Sequence, residues 1–160
     1  KYRGGQVRAA PFFRYDLTRR METLAEKKAS KKPVKKTARK TESKKATTDL
    51  QFVLKAVQIA RDRRCSDIVA LDLRGISPAA DYFVLATSTS GRQAKTVADE
   101  ISEEARKYNL QRFGRAGYEQ GQWILLDFIN VVVHLFDSEF REYYNLEMLW
   151  GDAKRLPIDD

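Results

Sequence analysis

The chain has 160 residues, 42% of them apolar, with 30 Lys and Arg against 22 Asp and Glu and a formal net charge of +8. Such a length suits one domain, and no uninterrupted apolar stretch approaches the roughly 18 residues that a membrane-spanning helix requires. A lone cysteine, Cys65, excludes an internal disulfide framework and a multi-cysteine zinc site.

The positive charge is unevenly placed. Residues 1–50 hold 16 basic and 5 acidic residues, a net of +11, whereas residues 51–160 hold 14 and 17, a net of −3. Residues 116–160 alone carry 3 basic and 9 acidic residues, a net of −6. Residues 1–20 mix Tyr2, Phe12, Phe13 and Tyr15 with five arginines, without a period, before Met21. They read as an extraneous or misassigned leader, an Arg-rich organelle transit peptide being the alternative. Residues 21–47 are a Lys-rich, low-complexity tail, expected to stay disordered because it has too little apolar surface to offset its ordering entropy. Such a polycation either screens phosphates, on RNA for example, or merely keeps the chain in solution.

A globular domain is expected over residues 48–152. Asp49 is placed to cap a helix in which Leu50, Val53, Leu54, Val57 and Ala60 fall at helical spacing, ending near Arg63 and Arg64. Two strands follow, Ile68 to Leu73 and Tyr82 to Thr87, linked closely enough to pair antiparallel. Ser88-Thr89-Ser90-Gly91 starts a second helix with Ala94, Val97, Ala98, Ile101 and Ala105 as its apolar stripe. A weak strand spans Gln111 to Arg115. Trp123 to Ile129 and Val131 to Phe136 then form a tight apolar hairpin. Asp137 and Ser138 cap a last helix through Phe140, Tyr143, Tyr144, Leu146 and Leu149 to Trp150, and residues 153–160 form a polar tail. A helix crossing between strands implies one parallel pair. The fold expected is an α/β domain with a mixed sheet of about five strands and helices packed on it.

No pattern carries catalysis. His134 lies inside an apolar strand without a partner set for a metal, and reads as structural. Cys65 reads as incidental. The Ser88 to Gly91 turn lacks the residues of a phosphate-binding loop, so it reads as a helix cap. Metal-dependent phosphoryl transfer wants paired carboxylates on a strand, but Asp72 is followed by Leu73 and Arg74. The expectation is a non-enzyme without cofactor or metal. The clearer signal is aromatic and acidic. Trp123, Tyr143, Tyr144 and Trp150 stand among Asp127, Asp137, Glu139, Glu142 and Glu147, a composition suited to docking a basic protein. Trp123 and Trp150, at element ends, are expected as surface anchors, and Phe140 and Leu146 as core.

Several stretches, in order and at matching spacing, resemble the ribosomal silencing factor family, RsfS, also called Iojap. They are Asp67 to Arg74, Ala80 to Thr87, Ser90 to Gln93 with Ala98 to Ile101, Trp123 to Phe128, Val131 to Phe136, Arg141 to Glu147, and Leu149-Trp150. The resemblance covers residues 50–152. It implies a nucleotidyltransferase-like fold without that activity. It also implies binding to protein fourteen of the large ribosomal subunit, which blocks joining of the small subunit and represses translation, with a homodimer when free. Carried over, the partner-binding residues are Trp123, Asp127, Tyr143, Tyr144, Glu147 and Trp150. Two alternatives stand beside this one: a nucleotidyltransferase-like enzyme, and a direct RNA-binding module supported by the Lys-rich tail. The compartment expected is the cytoplasm, with mitochondrion or plastid as alternative. One departure concerns the hairpin turn, where Ile129-Asn130 replaces the family's usual Gly-Asp. Because Ile129 adopts positive φ only at a cost, the turn is expected to shift by a residue.

Overall fold

A computed structural model describes residues 38–158 apart from Ala79. The expected leader and the Lys-rich tail up to residue 37 lie outside the described residues. In chain order the elements are α1 (Ala38–Asp62), β1 (Ser66–Asp72), β2 (Tyr82–Thr87), α2 (Gly91–Lys107), β3 (Gly114–Ala116), β4 (Trp123–Asp127), β5 (Val131–Phe136), α3 (Ser138–Tyr144), α4 (Leu146–Leu149) and β6 (Lys154–Arg155).

Helix α1 starts eleven residues before the expected cap. Residues 38–47, read from sequence as tail, are Ala, Arg, Lys, Thr, Glu and Ser, most of them good helix formers. Extending a helix that the core already nucleates costs little per residue. Asp49 therefore sits inside the helix, fully buried, and its Oδ2 accepts from Asn130 Nδ2 at 2.7 Å. Helix α2 follows expectation. Ser90 caps it by accepting from Gln93 N, and Ala94, Val97, Ala98, Ile101 and Ala105 are buried.

The sheet has six strands in the order β3-β4-β5-β2-β1-β6. All neighbours are antiparallel except β2 and β5, which run parallel from Tyr82↔Val131 to Thr87↔Phe136. The crossover between them consists of α2 and the β3-β4 pair. Both central strands are buried along their whole length, as their nearly continuous apolar composition favours. The sixth strand, β6, was not expected. Residues 153–158 are no free tail: Lys154 and Arg155 pair with Asp72 and Leu71, Leu156 N donates to Ala70 O, and Leu156 and Ile158 pack against the core. Alternating Leu156 and Ile158 supply one apolar face, enough to cover a sheet edge.

One sheet face carries Ala70, Tyr82, Val84, Ala86, Ile124, Leu126, Val131, Val133 and Leu135 against α1 and α2. The other presents Phe83, Leu85, Trp123, Val132, His134 and Phe136, by strand alternation. That second face meets α3 and α4, and it positions the site.

Candidate functional site

The last helix expected from sequence is two helices. Asn145 breaks it with a left-handed backbone, φ +38°, which Asn tolerates better than most residues. Its N–H donates to Arg141 O, ending α3, and its side chain accepts from Met148 N, starting α4. The break turns α4 so that Leu146 is buried while Met148 and Leu149 point outward, 79% and 64% exposed. Tyr143 on α3 is 63% exposed.

Tyr143, the aromatic member of this exposed trio, forms the surface end of an aromatic run. Tyr143 meets Tyr144 edge-on at 5.0 Å, and Tyr144 lies 4.7 Å from Trp123. Trp123 stacks on Phe136 at 4.9 Å. His134 meets Phe83 at 4.8 Å, and Phe83 meets Trp150 edge-on at 5.9 Å. Trp123 Nε1 donates to His134 Nδ1 at 3.3 Å. The indole nitrogen only donates, so Nδ1 acts as acceptor here and the imidazole serves packing and orientation.

Arg141 fastens the segment. Its Nε and Nη2 both donate to Glu147 Oε1, and Nη2 also reaches Asp67 O at 2.9 Å. Asp67 has φ +46° where the β1-β2 register shifts, and that irregularity turns its carbonyl toward α3. The Arg141 guanidinium also lies 5.7 Å from the Phe136 ring.

The expected site residues thus separate. Tyr143, Tyr144 and Trp123 are brought together, but only Tyr143 reaches far into solvent. Trp123 is no surface anchor: at 7% exposed it fills the space between Phe136 and Tyr144. Its strand ends there, yet α3 folds over the end, and strand position alone does not reveal that cover. At Gly117, φ +69°, the chain passes so close that a Cβ would meet Trp123 O at 1.8 Å. Asp127 lies at the far end of β4, buried, accepting from Ile129 N at 2.7 Å. Glu147 is half-buried and held by Arg141, and Trp150 is half-buried on Phe83. Sequence reasoning missed Met148, Leu149 and Arg141 as parts of this site. A signal existed: Leu146 to Trp150 packs four apolar residues into five positions, more than one face of a short helix can bury.

Around the apolar trio, residues 137–152 hold Asp137, Glu139, Glu142, Glu147 and Asp152 against the single cation Arg141. Glu139, Glu142 and Asp152 are exposed. The hairpin turn nearby differs from expectation too. It is not shifted: Ile129 itself takes φ +74°, with Asn130 N donating to Phe128 O at 3.0 Å, the hydrogen bond of a tight three-residue turn. Asn130 O accepts from Asp81 N and Tyr82 N, and its side chain reaches Asp49, which together hold the turn in place.

On the helical side, burial pushes the Cys65 thiol above its ordinary pKa, which leaves it less reactive. Asp72 is held below the usual carboxylate range, chiefly by the hydrogen bonds from the Arg74 side chain. Among the described residues no cluster of His, Cys, Asp and Glu suits a metal ion, and no helix is long and apolar enough to cross a membrane.

Comparison with known proteins agrees on one family. Residues 44–160 match the model of the family described as ribosomal silencing factor during starvation, RsfS. The ribosomal silencing factor RsfS of Bacillus subtilis is 43% identical over 98 residues, 61% of this chain and 83% of that protein. The RsfS of Halalkalibacterium halodurans is 38% identical, over 65% of this chain and 89% of that protein. The chloroplastic protein Iojap of Arabidopsis thaliana is 30% identical, over 69% of this chain and 47% of its own length. A crystal structure from Bacillus halodurans superposes with TM-score 0.56 at 35% identity, covering 68% of this chain and 95% of that one. One from Chromobacterium violaceum gives TM-score 0.62 at 28% identity, covering 70% and 92%. The chain belongs to the ribosomal silencing factor family, RsfS.

Proposed function

We propose that this chain represses translation by docking on protein fourteen of the large ribosomal subunit and sterically excluding the small subunit. The observation that carries the reading is the exposed trio Tyr143, Met148 and Leu149 inside an acidic rim. Apolar anchors supply affinity, and the rim steers the face toward a basic protein. A standard interface takes roughly 800 Å² from each partner, which a domain of this size provides. Repression by occupation needs no covalent step, and the reading is of a non-enzyme. Asp72, on the strand where phosphoryl transfer would want free carboxylates, is committed to Arg74. The ribosome concerned is of bacterial type, in the cytoplasm or, as alternative, in an organelle. The Lys-rich tail adds a salt-sensitive contact to ribosomal RNA in this proposal, and a homodimer forms when the ribosome is absent.

The test is sedimentation with purified ribosomal subunits. The wild-type chain is expected to co-migrate with the large subunit alone and to reduce subunit joining. Met148→Glu/Leu149→Glu, which alters only exposed side chains, is expected to lose both effects. Co-migration and repression at wild-type levels in that variant would show that docking uses another face.

A further inference from the structure

A second surface lies away from the docking segment, at one end of the helical layer. Helices α1 and α2 run antiparallel: Phe52 lies 5.8 Å from Tyr108, while Arg63 O accepts from Gln93 Nε2 and the Arg63 side chain pairs with Glu100. The end of α2 therefore lies against the middle of α1, at Phe52. There a cleft of about 570 Å³ opens, lined by Ser102, Arg106, Asn109, Leu110, Gln111 and Arg112. Asn109 turns the chain back with φ +55°, and Leu110 N donates to Ala105 O at 3.0 Å, which brings residues 110–112 over the helix end. Arg112 Nη1 donates to Ser102 Oγ at 3.1 Å, so this guanidinium is oriented across the cleft.

The charged residues that line the cleft, Arg106 and Arg112, are both cations. Residues 105–118 include Arg106, Lys107, Arg112 and Arg115 and no acid. Lys107 and Arg115 are paired with Glu104 and Asp99. Arg106 and Arg112 are exposed and have no carboxylate partner among the described residues. A cation in the last turn of α2 compensates the helix dipole, which accounts for Arg106 and Lys107. It does not account for Arg112, five residues beyond the helix.

We propose that this end of the helical layer binds RNA, with Arg106 and Arg112 on the phosphate backbone and Asn109 and Gln111 within reach of base edges. Two guanidinium groups without a carboxylate partner suit phosphodiester oxygens, and amide side chains beside them suit base edges. An exposed aromatic, Phe113, follows directly in sequence. The proposal stands apart from the docking reading. It uses the opposite face of the sheet, and the folded domain rather than the N-terminal tail.

The experiment titrates a fluorescently labelled 20-nucleotide oligouridylate with the full chain, at salt concentrations from 50 to 200 mM. Arg106→Gln/Arg112→Gln is expected to weaken binding about five- to tenfold at the lowest salt. The slope of log affinity on log salt should become shallower by about 0.7 for each arginine that sits on a phosphate. Arg106→Lys/Arg112→Lys keeps the charge and should keep the slope. Met148→Glu/Leu149→Glu should bind the oligonucleotide like wild type. An unchanged affinity and slope in the glutamine variant would overturn the proposal. So would displacement of the RNA by a 20-residue polyglutamate at equal charge concentration, which would mark a surface for acidic protein instead.

Discussion

Arg141 and Glu147 lock two short helices together across the left-handed Asn145, and the outward aim of Met148 and Leu149 depends on that lock. Their side chains are only 10% and 21% exposed, so each shields the other from an uncompensated charge. Arg141→Gln is expected to cost about 3 kcal/mol and Glu147→Gln about 2 kcal/mol in urea unfolding. The double variant should cost less than the two together, because both remove the same contact. Strict additivity would mean that the pair does not couple the helices.

Trp123 and Tyr143 belong to one aromatic run but should behave oppositely. Trp123→Ala removes a buried indole and is expected to cost about 3 to 5 kcal/mol in stability. Tyr143→Ala should change stability by less than about 0.5 kcal/mol, while weakening large-subunit binding. Urea midpoints and sedimentation of both variants separate the roles. A stable Trp123→Ala chain would contradict the burial described above.

Ile129 sits at φ +74°, where a β-branched residue is strained. Glycine takes this conformation without that cost. Ile129→Gly is expected to raise stability by about 1 kcal/mol after the lost side-chain contacts are set against the relieved strain. A lower urea midpoint would mean that those contacts outweigh the strain.

Strand β6 closes the edge of β1, and Leu156 and Ile158 pack on the core. Truncation after Ala153 is expected to cost about 2 to 3 kcal/mol from the lost apolar burial. It also bares a strand edge that can pair with another chain. Calorimetry should show the loss, and light scattering should show self-association. A truncated chain that stays monomeric at wild-type stability would reduce β6 to an ornament of the edge.

Asp72 owes its low pKa first to the hydrogen bonds from Arg74. A folded value depressed below the unfolded one, about 3.9 for Asp, gives stability that is fully present above the unfolded value. That stability is lost as pH falls through the folded value. Arg74 is half exposed, which keeps the effect modest. In Arg74→Gln the Asp72 carboxyl should titrate closer to the ordinary range by NMR, and the stability gap to wild type should close in acid. A carboxyl that titrates unchanged would assign the shift to the backbone N–H of residue 74 and the charge of Lys154 instead.

Much of this protein is decided by local sequence. The boundaries of β2 and β5 follow from nearly continuous apolar runs, the buried stripe of α2 from its period, and the cap at Ser90 from its side chain. The separation of a cationic first third from an acidic last third is also a property of sequence alone. Other features needed the tertiary structure. Whether Trp123 is surface or core depends on α3 folding over the end of β4. The start of α1 depends on a helix nucleated by the core running on into Lys-rich sequence. The tail became β6 because β1 offered it an edge. Ile129 bears a strained φ because Asp127, Asn130 and the strands around them determine its backbone. Period and composition act within a few residues, whereas cover, strain and edge pairing arise from elements distant in the chain.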